Sequence, residues 1–148
     1  MDPRYPLQTA QEITMKTPGP DHPITLTPAA RQVRVAYEGH VIAASDAALV
    51  LQEASYPPVF YIPRADVETG FMSKTAHTTN CPYKGDASYY SLLMNGDLTE
   101  NVAWSYEAPY PAMEQIRGML AFYPDKVRIY EVDEAALDDR RHSEAMES

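Results

Sequence analysis

ASYYSLLMNGDLTENVAWSY, residues 87–106, decides the fold class. Two runs of aromatic and aliphatic residues flank Asn95-Gly96, the preferred pair for a type I′ turn, in which both central residues need φ > 0. The stretch reads as a β-hairpin. Outward from it, Val33, Val35 and Tyr37 alternate with Arg34 and Ala36. Glu38-Gly39 then supplies a turn and HVIAAS returns, giving a second hairpin. Ser45-Asp46 punctuates before another apolar run, Ala48 to Leu51. YPPVFYIPRADV, residues 56–67, is a short aromatic strand framed by prolines that cannot donate to a ladder, which places it at an edge or between bends. Phe71 to Asp86, rich in Thr, Ser, Asn and Gly, reads as a long functional loop. Met113, Ile116, Leu120 and Tyr123 recur at helical spacing, with Pro111 in a first turn and Pro124 as a stop, and predict one helix over about 111–123. KVRIYEV is the last strand. The expectation is a mainly β (α+β) fold of small antiparallel sheets with one C-terminal-half helix.

The 148 residues suit one domain. Six of the 13 prolines fall within the first 28 residues, so residues 1–23 read as an extended or flexible arm, before a single domain at 24–132. Residues 133–148 read as an acidic flexible tail, contributing −4 of the net −9. That acidity argues against nucleic acid, whose phosphates need clustered Lys and Arg. No apolar run approaches the ~20 residues that span a bilayer, so no membrane partner is expected and cytoplasmic is the default location. One cysteine, Cys81, excludes an intrachain disulfide and a Cys-rich zinc site. No metal or other cofactor is expected.

The candidate chemistry sits in HTTNCPYKGDASYY, residues 77–90, on aromatic-rich chain: nine of eleven tyrosines, all three phenylalanines and Trp104 lie between Tyr56 and Tyr130. Cys81 is a candidate nucleophile, since nearby cations favour a thiolate. His77 is the candidate base, and Lys84 or Asn80 would polarise a substrate. Tyr61, Tyr83, Tyr90, Trp104 and Tyr106 are candidate walls of an aromatic pocket, with Arg64 and Lys84 orienting a polar or anionic end. Arg64 has a plainer alternative, a surface ion pair with Asp66 or Glu68. Lys84-Gly85 lacks the glycine frame of a phosphate loop, and Cys-Pro-Tyr-Lys is not a redox Cys-x-x-Cys.

Three blocks resemble a known family: Pro58–Val67 (PVFYIPRADV), His77–Tyr90, and Asn101–Tyr106 (NVAWSY), with Leu120-Ala121-Phe122-Tyr123 following. Together they resemble the bacterial and fungal domain-of-unknown-function family 427 (DUF427) over roughly residues 32–132. The resemblance implies an Mss4-like or β-tent architecture, two small antiparallel sheets pinned at one end. Zinc relatives of that architecture use paired Cys-x-x-Cys knuckles, which this chain lacks. Some members carry a nucleotidyltransferase-type label, yet the sequence shows neither a metal-binding carboxylate pair nor a glycine-rich phosphate loop. Three functions follow as expectations. The first is a module binding a small planar or anionic ligand around residues 77–90. The second is a cysteine-dependent enzyme. The third is a homodimeric interaction module using the arm or a sheet edge.

Overall fold

The structure, a computed structural model, describes residues 15–133. The first part of the expected arm, and the tail beyond Asp133, lie outside the described residues. Ten strands run in chain order: β1 Ile24–Pro28, β2 Gln32–Tyr37, β3 His40–Ser45, β4 Leu49–Glu53, β5 Val59–Tyr61, β6 Met72–Cys81, β7 Gly85–Met94, β8 Asp97–Ser105, β9 Ala121–Phe122 and β10 Arg128–Val132. They form three antiparallel sheets, ordered β1-β4-β5, β10-β2-β3 and β6-β7-β8-β9, where the resemblance implied two.

Both expected hairpins form. Asn95 and Gly96 take φ of 54° and 81°, and Glu38 and Gly39 take 48° and 81°, the left-handed pairs that a type I′ turn demands. The aromatic strand β5 is an edge, as its flanking prolines require.

Two expectations fail. Phe71 to Asp86 is not a loop: Met72 to Cys81 is a ten-residue strand, and β7 begins at Gly85. Between the pairs Lys74–Tyr90 and Thr78–Ser88 the register shifts, so Thr75, Ala76 and His77 bulge opposite Tyr89. The helix over 111–123 is also absent. A 3₁₀ segment, Pro111–Ile116, is broken at Met113 (φ −113°, ψ 20°), and Gly118 turns the chain with φ 71°. Leu120 then bridges Ile62, and Ala121–Phe122 joins β8. The apolar stripe is real, since Met113, Ile116, Leu120 and Tyr123 are all buried, but strand pairing takes its second half.

The four-stranded sheet feeds two cores. Tyr90, Leu92 and Phe122 pack with Val33, Val35 and Ile42 of the β2–β3 hairpin. Tyr89, Trp104 and Ala121 pack with Leu51, Tyr61, Met113 and Ile116. Neighbouring Tyr89 and Tyr90 thus serve opposite faces, as strand alternation dictates.

Candidate functional site

Residues 82–84 close the β6–β7 hairpin, and this turn is held down from two sides. The Lys84 amide donates to the Cys81 carbonyl at 3.2 Å, and the Tyr110 amide donates to the Lys84 carbonyl at 2.9 Å. Gly85 follows at φ 113°, and a Cβ there would stand 3.4 Å from the Ala108 carbonyl oxygen. Glycine is needed because an L side chain is strained at that φ whatever the space around it. The result aims Lys84 inward, where its side chain is 0% exposed.

Lys84 Nζ donates to Glu53 Oε1 at 2.6 Å, and Glu53, at the end of β4, is likewise fully buried. Such a pair persists only when the remaining polar atoms are also satisfied. Here the other carboxylate oxygen, Oε2, accepts from His22 Nε2 at 2.7 Å. The His22 ring lies flat on Tyr83, with centroids 4.0 Å apart and planes within 6°. Burial, followed by the charges of Lys84 and Lys16, pushes the His22 imidazole below its usual value. It is therefore neutral near pH 7, with Nε2–H as donor. The segment carrying His22 is fastened by Lys16 N–H to the Pro82 carbonyl at 2.7 Å and by Ala54 N–H to the Pro23 carbonyl at 2.8 Å. His22 thus fills the slot between the Tyr83 ring and the buried Glu53–Lys84 pair.

Cys81 adjoins this floor, 3.5 Å from Lys84 Nζ, but is 1% exposed. Burial pushes its thiol up, against the opposing charge of Lys84. His77 packs its ring on Tyr89 at 4.6 Å, and burial lowers its pKa. No hydrogen bond joins it to Cys81 among the described residues, and it sits in the bulge four residues before Cys81. The structure brings Cys81 and Lys84 together and leaves His77 apart.

Arg64 belongs to a different place. Ser88, Tyr90 and Ser105 alternate with Tyr89 and Trp104 along their strands and emerge on the other face of the sheet. There Arg64 Nη2 reaches Tyr90 Oη (3.3 Å), Ser105 Oγ (3.5 Å) and Glu107 Oε2 (3.4 Å), while Nε donates to the Gly118 carbonyl at 3.2 Å. Glu107 also accepts from Lys74 Nζ and from the Tyr90 hydroxyl, each at 2.7 Å. Burial alone would raise the Glu107 carboxyl. The hydrogen bonds from Lys74, Tyr90 and Ser88, with the charge of Lys74, outweigh it and hold the group at about 2. Tyr90 is raised, first by burial and then by its bond to Glu107. The expected partners of Arg64 are otherwise engaged: Asp66 accepts from Ser45 Oγ at 2.6 Å, and Glu68 lies 4.0 Å from His40.

Of the expected pocket walls, Tyr61, Trp104 and Tyr106 are core residues, 0%, 3% and 1% exposed. Trp104 Nε1–H donates to Tyr61 Oη at 3.2 Å, and Lys84 Nζ sits 5.9 Å from the Tyr106 ring centre. Tyr83 is half-buried, and Tyr90 presents its hydroxyl to Glu107. A shallow depression of about 630 Å³ lies elsewhere, between residues 36–39 and 124–128, and holds none of these side chains. Glu53, His22, Lys74 and Glu107 were not singled out by sequence reasoning. Glu53 lies more than 20 residues before the segment 77–90, and only tertiary pairing joins them. Among the described residues, no group of three His, Cys, Asp or Glu could hold a metal ion, and no helix is long and apolar enough to cross a membrane.

Compared with family models, residues 25–133 match the one described as a domain of unknown function (DUF427). Comparison with the curated proteins finds no match.

Proposed function

The chain belongs to the DUF427 family, and from that premise we propose that it is a binding module for a small planar heterocycle bearing an N–H donor, taken up in the slot that His22 fills. The observation that carries this reading is the His22 ring itself, stacked 4.0 Å from Tyr83 and bonded through Nε2 to a fully buried carboxylate. A ligand with the same features would stack on Tyr83 and donate to Glu53 Oε2. Lys84, bonded to Oε1, keeps that carboxylate oriented and its charge compensated. Stacking and one charge-assisted hydrogen bond are the usual means of orienting such a ring.

The test uses the full chain with His22→Gly and imidazole as the first probe. Imidazole should raise the melting temperature of this variant by several degrees, and Tyr83→Ala in the same background should abolish the gain. Adenine and other planar N–H compounds should then displace His22 in the wild type, read as a shift of its ring proton signals. If no probe displaces His22 from the wild-type chain, the slot is an intramolecular contact and the proposal is lost.

The cysteine-enzyme reading draws on the Cys81–Lys84 contact. It would need the thiol uncovered and a base other than His77.

A further inference from the structure

The polar cluster on the opposite face of the four-stranded sheet has a chemistry of its own. Arg64, Lys74, Ser88, Tyr90 and Ser105 come from a 3₁₀ turn and three strands, yet all direct polar groups toward one spot. Among the described residues, one carboxylate, Glu107, pairs with these two cations. The nearby Arg117, which donates to the Glu107 carbonyl at 3.2 Å, is balanced by Glu114, which leaves an excess of one positive charge on a chain of net charge −9.

The two cations are not equally engaged. Lys74 and the Tyr90 hydroxyl hold Glu107 at 2.7 Å, whereas every hydrogen bond of the Arg64 guanidinium is 3.2 Å or longer. One guanidinium nitrogen, Nη2, is spread over three acceptors. The other, Nη1, makes no hydrogen bond among the described residues. The Arg64 side chain is 38% exposed and Lys74 56%, so solvent reaches both. A guanidinium has five N–H donors in a planar fork matched to oxyanions. Here the fork is anchored at its base by the Gly118 carbonyl and by the Tyr90 ring, 5.1 Å from Arg64 Cζ. It is held in place while the described residues leave much of its donor capacity open.

We propose that Arg64 and Lys74 form a binding site for a small oxyanion, a carboxylate or a phosphate. Glu107 acts there as an internal anion that sets the affinity. The oxyanion bonds Arg64 Nη1 and shares Lys74 Nζ with Glu107, whose charge opposes it at short range. The site is separate from the His22 slot, because the sheet lies between them, and the two can be gained or lost independently.

The experiment titrates the full chain at pH 7 and low ionic strength with inorganic phosphate and, in a second arm, with acetate. The readouts are the Arg64 Nε–H resonance and titration calorimetry. The wild type should give saturable binding to at least one anion, and the arm that responds identifies the source. Glu107→Gln keeps an acceptor for Tyr90 and Lys74 while removing the charge, and should tighten binding about tenfold. Arg64→Gln should abolish it. Arg128→Gln should leave it unchanged, since Arg128 stacks over Tyr130 on another sheet. The melting temperature of each variant identifies any that has lost its fold, and Lys74→Met then serves as the second test, expected to weaken binding. No saturable response in the wild type and in Glu107→Gln overturns the proposal, as does binding that survives Arg64→Gln or is lost in Arg128→Gln.

Discussion

Lys84 and Glu53 place opposite charges where neither side chain reaches solvent. Removing one member of a buried pair strands the other, which costs roughly 3–5 kcal/mol, whereas removing both is far milder. Lys84→Met should therefore destabilise the chain by about that amount in urea denaturation, and the double variant Lys84→Met/Glu53→Gln by clearly less than the sum of the single losses. Additive losses would mean that the two groups do not act as a pair. Cys81 gives a second test at this scale. Its thiol is 1% exposed and shifted upward by burial, and only a reachable thiolate alkylates quickly. At pH 7, iodoacetamide should modify native Cys81 at least tenfold more slowly than a free thiol, and in denaturant at the ordinary rate. Fast native labelling would show that the core over Cys81 opens.

At the scale of elements, the hairpins were legible because a turn pair fixes both a conformation and a register. Asn95-Gly96 and Glu38-Gly39 did so here. Strand β6 was not legible, because its polar side chains read as a loop. Polarity is the wrong cue there: Thr75, Thr78 and Thr79 are β-branched and suit a strand whatever their polarity. The helix over 111–123 misled for the opposite reason. An apolar stripe reports burial, and Leu120 to Phe122 satisfy that burial through strand pairing. Residues 77–90 contain Tyr83 and Lys84 but neither of the residues they meet, Glu53 and His22. Glu53 lies 31 residues before Lys84, and His22 lies 31 residues before Glu53, and no local pattern encodes such contacts. The tight hairpin at Gly85 makes a prediction of its own. With φ 113°, far beyond the left-handed region at about 57° that other residues can visit, Gly85→Ala carries the larger backbone strain, while the contact to the Ala108 carbonyl oxygen, at 3.4 Å, is an ordinary one. Gly96, at φ 81° with open space around it, carries only strain. Strained backbone of this kind costs about 1–3 kcal/mol. Gly85→Ala should lie at the upper end and Gly96→Ala at the lower, compared by denaturant midpoints, and the reverse order would mean that the backbone at Gly85 relaxes out of φ 113°.

For the whole molecule, the titrating groups divide the pH dependence of stability into two windows. His22 and His77 both have pKa values below their usual 6.5 in the folded chain, His22 through burial and the charges of Lys84 and Lys16, His77 chiefly through burial. The unfolded chain therefore binds more protons as pH falls through 6.5, and stability drops there. It is fully present above that pH. Glu107 acts lower down: its carboxyl ordinarily titrates near 4.5 and is held at about 2, so its contribution is complete above 4.5 and is lost as pH falls toward 2. Its side chain is 35% exposed, and solvent screening limits the effect to about 1 kcal/mol. Melting temperature against pH should thus decline in two steps, one setting in as pH falls through 6.5 and the other as it falls below 4.5. His22→Gln keeps a donor for Glu53 but cannot titrate, so it should shrink the upper step and leave the lower one intact. Glu107→Gln should do the converse. An upper step unchanged in His22→Gln would mean that the imidazole over Tyr83 is not held neutral by its surroundings.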